Sequence, residues 1–574
     1  MFIKRNWVEI LVFGAILAVL LICNAPGMTW INTDSDGAHY IYSAKYTAVA
    51  HNTSAPLFLL IGKLFLLIPF GTEAWRMGLI SVLATTIACI FIYKVVYLKL
   101  QEWRVSQMVL RNKRIRSVVL RARIYSLIAS VVYGGSALVI SQSTIIETYA
   151  LSTMLSVIAY YACLQRRWVW ASMTMGLMLA IHPLFFLFTW FVLFIAYKEL
   201  RNIKLFGITI AFVVFYAYIP ISKMFGESSD MWGNTSLSGF LRNNFGTMWM
   251  LAGTLSLWDI PKRFIDTVLI YIVSMGLGSV VLIWYYIKKK TVKDVTLWMV
   301  VLPVFYFIVN LSAETYVYMI QAIAFGAIAV GVAMSKVKPV VMYYTALIAV
   351  ALMGFNANYL DIGRTLDPNL SAQRYFDEEL DTIPDGEILL AGGWTWAIVP
   401  LYNRENNRNI IPICTDVLPS DEYLDIIEAN GVKLTRTDSK KNLDQQWLVA
   451  KSIVEQNDNV WMAKETIPSE FQYEIVPAQE NMYLVERWIG YEKQPEIAWK
   501  PSNPYHYITG ALEVSEWKFI IYSNINARFA IMCAVYAIAA YWLALKLFKK
   551  KDKGHGEVPV ETEAEADSTR TTDS

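Results

Sequence analysis

Apolar residues in this chain come in long unbroken blocks, not in the alternating or three-to-four-residue patterns of a soluble fold. Blocks approaching the ~20 residues needed to cross a bilayer recur at 7–23, 77–98, 124–140, 145–164, 168–180, 183–197, 205–221, 265–287, 296–311, 316–334, 339–356 and 527–548. Each predicts a transmembrane helix, the shorter ones shielded by neighbours. A further block at 56–70 is ambiguous. The first block lacks a small-residue cleavage site before Met28 and is followed by more membrane segments, so it reads as a span and not as a cleaved signal peptide.

Charge resolves the ambiguity. Lys4 and Arg5 put the N-terminus in the cytoplasm under the positive-inside rule. If 56–70 crossed the membrane, the loop after Leu98 would lie outside with Lys99, Arg104, Arg111, Lys113, Arg114, Arg116, Arg121 and Arg123 against the single acid Glu102. An interfacial helix at 56–70 keeps that loop inside. Arg166/Arg167, Lys198/Arg201/Lys204, Lys288–Lys290, Lys336/Lys338 and Lys549–Lys551 then all fall inside as well. The expected fold is a polytopic α-helical membrane protein of about 12 transmembrane helices with both termini cytoplasmic.

Composition agrees. Of 574 residues, 56% are hydrophobic and only 17% charged, where a soluble protein keeps roughly a quarter charged; mean hydropathy is +0.40. A soluble enzyme, a disordered scaffold and a nucleic-acid partner are all disfavoured. Cysteines at 23, 89, 163, 414 and 533 form no CxxC and no metal-ligand spacing. The organisation expected is a transmembrane domain over 1–356 with a first outer loop at 24–75, an extracytoplasmic domain over 357–516, a last helix at 517–548 and a disordered cytoplasmic tail at 549–574. Residues 357–516 hold 27 Asp/Glu and 13 Lys/Arg, a net charge opposite in sign to that of the rest. Strand-like stretches at 387–393, 447–455 and 473–488 suggest a small α/β domain inserted before the last span. No internal repeat is evident.

Ionisable residues near a membrane boundary are costly, which makes them functional candidates. The first outer loop carries Asp34 and Asp36 in a Ser/Gly-rich turn. Either carboxylate can serve as general base toward an acceptor hydroxyl; the alternative is a turn former or helix N-cap. His39 and His51 share this loop as base, ligand or surface residue, although no HxxH or HExxH spacing supports zinc. Glu147, beside Tyr149 in SQSTIIETYALS, sits in an apolar run, either as a helix-dipole partner or paired with a cation. His182 stands before Pro183 at an outward turn, where a structural role competes with a functional one. Trp232, Trp249 and Arg242 in the loop at 222–263 suit a sugar or phosphate, or an interfacial belt. Lys63 and Arg76 complete the set of candidate cations, Lys63 with snorkelling as its alternative.

In order along residues 1–335, several of these pieces resemble a known family. GKLFLLIPFGTEAWRMGLISVL follows the Asp-containing loop, with His51 fifteen residues after Asp36. It is similar to the start of the protein O-mannosyltransferase-like membrane proteins of the C-type glycosyltransferase superfamily. SQSTIIETYALS resembles that family's Ser-Gln…Glu-x-Tyr-Ala-Leu motif, GLMLAIHP its Gly-x-His turn, and WGNTSLSGFLRNNFG its Trp-Gly…Gly-Phe-Leu loop. By spacing Asp36 takes the place of the family's aspartate, with Asp34 as fallback. His39 stands where Glu is usual, and Asn52-Thr53-Ser54 replaces Pro-Pro-Gly.

The resemblance implies a membrane glycosyltransferase, inverting, that moves a hexose such as mannose from a polyprenyl-phosphate donor to a protein or glycan acceptor. The reaction would take place at the extracytoplasmic face of the plasma or endoplasmic reticulum membrane. Asp36 would be the base, and Glu147, Tyr149, His39, His51, His182, Trp232 and the cations would bind substrate. No metal is assigned. Two other classes fit the same topology. A transporter should show paired halves or helices broken at midplane. A non-catalytic scaffold in glycan assembly would tolerate the altered motifs.

The charge map makes a direct prediction. A cysteine placed at Ser117 should resist a membrane-impermeant thiol reagent in intact cells, because 99–123 lies inside while 24–75 and 357–516 lie outside. Ready labelling there would overturn the map.

Overall fold

The computed structural model describes residues 2–30, 36–50, 55–108, 115–225, 259–289, 294–309, 313–359, 371–418, 421–436, 442–463, 471–479 and 482–491. All belong to one compact unit, 1–517. The expected last span at 527–548 and the tail lie outside the described residues.

The helical part is ordered α1 (Phe2–Cys23), α2 (Gly37–Tyr46), α3 (Pro56–Leu66), α4 (Glu73–Met108), α5 (Ile115–Gly134), α6 (Ala137–Ser143), α7 (Tyr149–Leu164), α8 (Trp168–Leu179), α9 (Pro183–Ala196), α10 (Ile203–Ala211), α11 (Tyr218–Phe225), α12 (Asp259–Met275), α13 (Leu277–Lys289), α14 (Val295–Val309), α15 (Met319–Ala333) and α16 (Pro339–Tyr359). Among the described residues five helices are long and apolar enough to cross a membrane, or seven if each of two bent pairs is one span. The remaining expected spans in this region fall on shorter apolar helices, Tyr149–Leu164, Trp168–Leu179, Pro183–Ala196 and Val295–Ile308. A polytopic helical membrane protein is therefore what the fold shows.

Three features refine the expectation. The ambiguous block at 56–70 forms the eleven-residue α3, about 16 Å long at 1.5 Å per residue and about half the ~30 Å hydrocarbon thickness. Pro56 sits at its first turn, where a missing N–H costs nothing. Leu64 on it and Leu67 at its C-cap are exposed, as lipid-facing residues would be. The expected single span at 265–287 is instead two helices bent by 116°. Gly276 joins them at φ +55°, a left-handed conformation that glycine adopts without a Cβ clash. The expected span at 124–140 is likewise divided, α5 and α6 meeting at 64°.

Side-chain contacts sort the loops into two ends. At one, Lys99 Nζ donates to Tyr160 Oη at 2.8 Å and lies 4.0 Å from Asp294. Tyr285 Oη donates to Asp294, and Lys336 lies over the Tyr285 ring. Arg123 Nε meets Glu9 at 2.5 Å, and Tyr93 Oη donates to the same carboxylate. Lys99, Lys336 and Asp294 thus meet across three loops. At the other end the chain after α1 meets the breaks between α6 and α7 and between α3 and α4. Ala25 N–H donates to Thr144 O at 2.9 Å, and Asn24 Nδ2 to Trp75 O at 2.9 Å.

Residues 371–491 also dock at this second end. Their sheet has the order β2-β1-β3-β5-β4, with β1 (Ile388–Ala391), β2 (Ile411–Cys414), β3 (Val460–Ala463), β4 (Phe471–Gln479) and β5 (Met482–Tyr491). β1 runs parallel to β2 and β3, whereas β5 is antiparallel to β3 and β4. Helices α17 (Val399–Asn406), α18 (Asp421–Ala429) and α19 (Asn442–Gln456) complete it. The strand expected at 447–455 is wrong, since that segment lies in α19. Val449, Ala450 and Ile453 are its fully buried side chains, and their spacing is that of one helix face.

The bend gives a stability prediction. Gly276→Ala should destabilise by about 1–2 kcal/mol, the cost of a left-handed Cβ. Gly354→Ala, inside α16 with nothing within 4 Å of where the added methyl would sit, should be neutral or stabilising by up to about 1 kcal/mol. Thermal unfolding midpoints in one detergent compare the two, and equal shifts would refute the strain argument.

Candidate active site

The break between α1 and α2 puts Asp36 at the N-cap of α2, with φ −100° and ψ −9°. An aspartate there ordinarily turns its carboxylate onto the first helical N–H groups. Asp36 makes no such capping bond, and its side chain is partly exposed. Its carboxylate is therefore not used as a helix cap. Gly37 to Ala44 behind it are all buried.

One turn on, Tyr40 is 3% exposed. Burial first, then the charges of Asp36 and Glu147, push its phenol well above the ordinary range, against a hydrogen bond from Thr148. Glu147 is 2% exposed at the break between α6 and α7. Its backbone carbonyl accepts from Ser81 Oγ at 2.9 Å, and its Oε2 accepts the Thr148 N–H at 3.2 Å. The helix-start role allowed by the sequence is present, together with a second one toward Tyr40.

Aromatic rings floor this region. Tyr149, at the start of α7, lies 5.7 Å from His182 and 5.7 Å from Tyr318 between ring centroids. His182 is 5.1 Å from Phe185 and 5.5 Å from Tyr318. It is held in extended backbone immediately before Pro183, which opens α9. Tyr306 stands edge-on to Tyr318 at 5.2 Å, and both keep some exposed surface. Next to Tyr306, Phe307 carries the Arg263 guanidinium 4.8 Å from its centroid.

The remaining candidates separate. Lys63 on α3 donates to Thr47 Oγ1 at 2.5 Å, and partial burial lowers its pKa. Arg76 gives Nη1 to the carbonyls of Leu66 and Ile68 at 2.6 and 2.9 Å, which closes the end of α3. His39 is 2% exposed, with its ring 5.6 Å from Trp396 of the sheet-bearing region. Asp34, His51, Trp232, Trp249 and Arg242 lie outside the described residues. Among the described residues no group of three or more His, Cys, Asp or Glu could hold a metal ion.

Sequence reasoning missed Tyr40, Thr148, Tyr306, Tyr318 and Arg263. Phenols in apolar runs look like an interfacial belt. The available signal for Arg263 was its place three residues before Asp266 at the start of a long apolar run, where both are buried.

A recess lined by Gly37, Ala38, Ile146, Ala372 and Ile398 adjoins the Asp36–Glu147 region. It shares Met28 with an open cleft of about 450 Å³ whose rim carries Glu73, Asp377 and Glu405.

Residues 36–204 match the family model described as the N-terminal domain of protein O-mannosyl-transferase TMEM260. No curated protein matches the chain by sequence. Two crystal structures of ArnT from Cupriavidus metallidurans share its fold at 10% identity. The apo state gives a TM-score of 0.54 and the state bound to undecaprenyl phosphate 0.53, each covering 84% of this chain and 98% of the other. The family match thus covers residues 36–204, across the end of the first outer loop and the spans that follow, and the likeness to ArnT extends over most of the chain as a shared fold.

Proposed function

We propose that the protein transfers a hexose, mannose-like, from a polyprenyl-phosphate donor to a hydroxyl of a protein or glycan acceptor, with Asp36 as general base. The observation that carries this is a carboxylate placed at a helix N-cap without capping it, acting with Glu147 on one buried phenol. Undecaprenyl phosphate bound to a protein of the same fold supports the donor class. The site end is then the extracytoplasmic face, and the basic end is cytoplasmic.

The chemistry is a single displacement. The acceptor oxygen attacks the anomeric carbon opposite the phosphate, Asp36 takes the hydroxyl proton, and the anomeric C–O bond breaks with its electron pair leaving on the phosphate. The configuration inverts. Cations favour the departing charge, and Lys63 and Arg263 are the described candidates. Tyr306 and Tyr318 offer ring faces or edges for sugar C–H groups, and Glu147 accepts from a sugar hydroxyl or positions Tyr40.

Asp36→Asn keeps shape but cannot accept a proton at neutral pH. Transfer of a radiolabelled sugar from lipid donor should fall by about 10²–10⁴, the usual cost of losing a general base, with donor binding kept. Glu147→Gln should also lose most activity while remaining folded. Asp34→Asn should be milder. Wild-type transfer by Asp36→Asn with none by Asp34→Asn would move the assignment to Asp34, and full activity in both would end the catalytic claim for this loop.

Lys63 gives a pH test. Burial lowers its pKa, so its charge is lost on raising the pH sooner than for an ordinary lysine. The donor KM should therefore climb on the alkaline side below the usual lysine range. Lys63→Arg, whose guanidinium stays charged, should flatten that climb. The same climb in both proteins would remove Lys63 from the phosphate's partners.

A further inference from the structure

Helix α2 is touched along its length by the sheet-bearing region. Just before it, Met28 and Gln373 exchange two hydrogen bonds, Met28 N–H to Gln373 Oε1 at 3.2 Å and Gln373 N–H to Met28 O at 3.1 Å. In its first turn His39 packs edge-to-face on Trp396, the two being 2% and 4% exposed. In its last turn Lys45 Nζ bridges Glu405 at 2.5 Å and Glu73 at 2.8 Å, while Arg404 lies over the Tyr46 ring at 5.5 Å. Burial alone would weaken the Lys45 ammonium, but its bonds to Glu405 and Glu73 outweigh that and raise its pKa. His39 and Tyr46 are seven residues apart, two turns on one helix face. Trp396 is itself tied to the sheet, its Nε1 donating to Pro412 O at 3.4 Å.

We propose that the sheet-bearing region is a positioning part of the active site, in which Trp396 and Glu405 fix the roll and axial position of α2 and thereby the aim of Asp36. Attachments at His39, Lys45 and Tyr46, two turns apart on the helix, leave it no independent rotation. Asp36 begins the same helix, one turn before His39. Trp396 and Glu405 touch neither donor nor acceptor in this scheme, so their effect should fall on turnover and not on donor affinity. The proposal rests on Asp36 being the base, and its test separates the two.

The full-length protein is purified in lipid nanodiscs and read in two ways, by amide hydrogen exchange over 37–46 and by steady-state sugar transfer. Trp396→Ala should speed exchange in α2 at least tenfold and lower kcat by about 10–100-fold, the scale of an ångström-level misplacement of a reacting group. Donor KM should stay within twofold. Trp396→Phe keeps a ring against His39 and should restore most of both. Glu405→Gln, at a half-exposed pair of modest strength, should lower kcat a few-fold by the same route. If Trp396→Ala is not recovered folded, the pair Gln373→Ala with Glu405→Gln must show the faster exchange. Unchanged exchange over 37–46, or faster exchange with unchanged kcat, overturns the positioning role. Faster exchange together with full activity of Asp36→Asn instead removes Asp36 as the base and leaves the mechanical coupling in place.

Discussion

A helix that stops inside or beside a bilayer leaves carbonyls that water cannot reach, and each must be satisfied by the protein itself. The site end of this molecule is built around that constraint. Where α5 gives way to α6, the Gly135 carbonyl accepts from Asn356 Nδ2 at 2.8 Å. Where α3 ends, Arg76 takes the carbonyls of Leu66 and Ile68. The end of α2 is covered by Tyr218 Oη, which bonds both Ser43 O and Ala48 O at 3.1 and 3.3 Å. Tyr216 does the same for Leu179 at the end of α8. The broken helices can gather at one end because these side chains close them, and their breaks bring Asp36, Glu147 and His182 to one level.

That arrangement explains which features were legible. Charge along the sequence argued against a span at 56–70, and the segment forms an eleven-residue helix, too short to cross a bilayer alone. Glu147 could be read because a carboxylate in an apolar run is conspicuous. Arg76 could not. As a lone arginine beside an acidic loop it looks like a phosphate clamp, whereas its donors face carbonyls that become unsatisfied only once α3 is known to end at Leu66. The two bends show the same limit. Gly134-Gly135 and Gly276 sit in runs as hydrophobic as any straight span, and only the folded neighbours decide whether a glycine turns the chain. In the sheet-bearing region, residues 447–455 were misread because a short segment rich in Val, Ile and Trp satisfies strand composition, while its buried positions follow a helical spacing.

The substitution of His39 for the family's usual glutamate acquires a physical sense in this setting. Position 39 is buried against Trp396, and a carboxylate without a cation there would carry a large desolvation cost. An imidazole can be buried neutral, and its edge meets an indole favourably. The residue that the resemblance would have made a substrate ligand therefore faces the sheet-bearing region, one turn away from Asp36. The departure removes one carboxylate from the first outer loop and leaves Glu147, from a different helix break, as the described acid that acts on Tyr40 alongside Asp36.

The proposed division of labour between those two carboxylates rests on where the backbone holds them. Glu147 is enclosed and already accepts a backbone N–H, so a proton taken from an acceptor would have to displace that bond and find a route to water. Asp36 keeps exposed surface, does not cap its helix, and adjoins a recess that shares Met28 with the open cleft. A base must exchange its proton with solvent once per turnover, and of the two Asp36 is the one with exposed surface. Tyr40, buried and with its pKa raised by both carboxylates, adds no charge of its own to them. Burial of one acid and partial exposure of the other are what favour Asp36 over Glu147 as the proposed base.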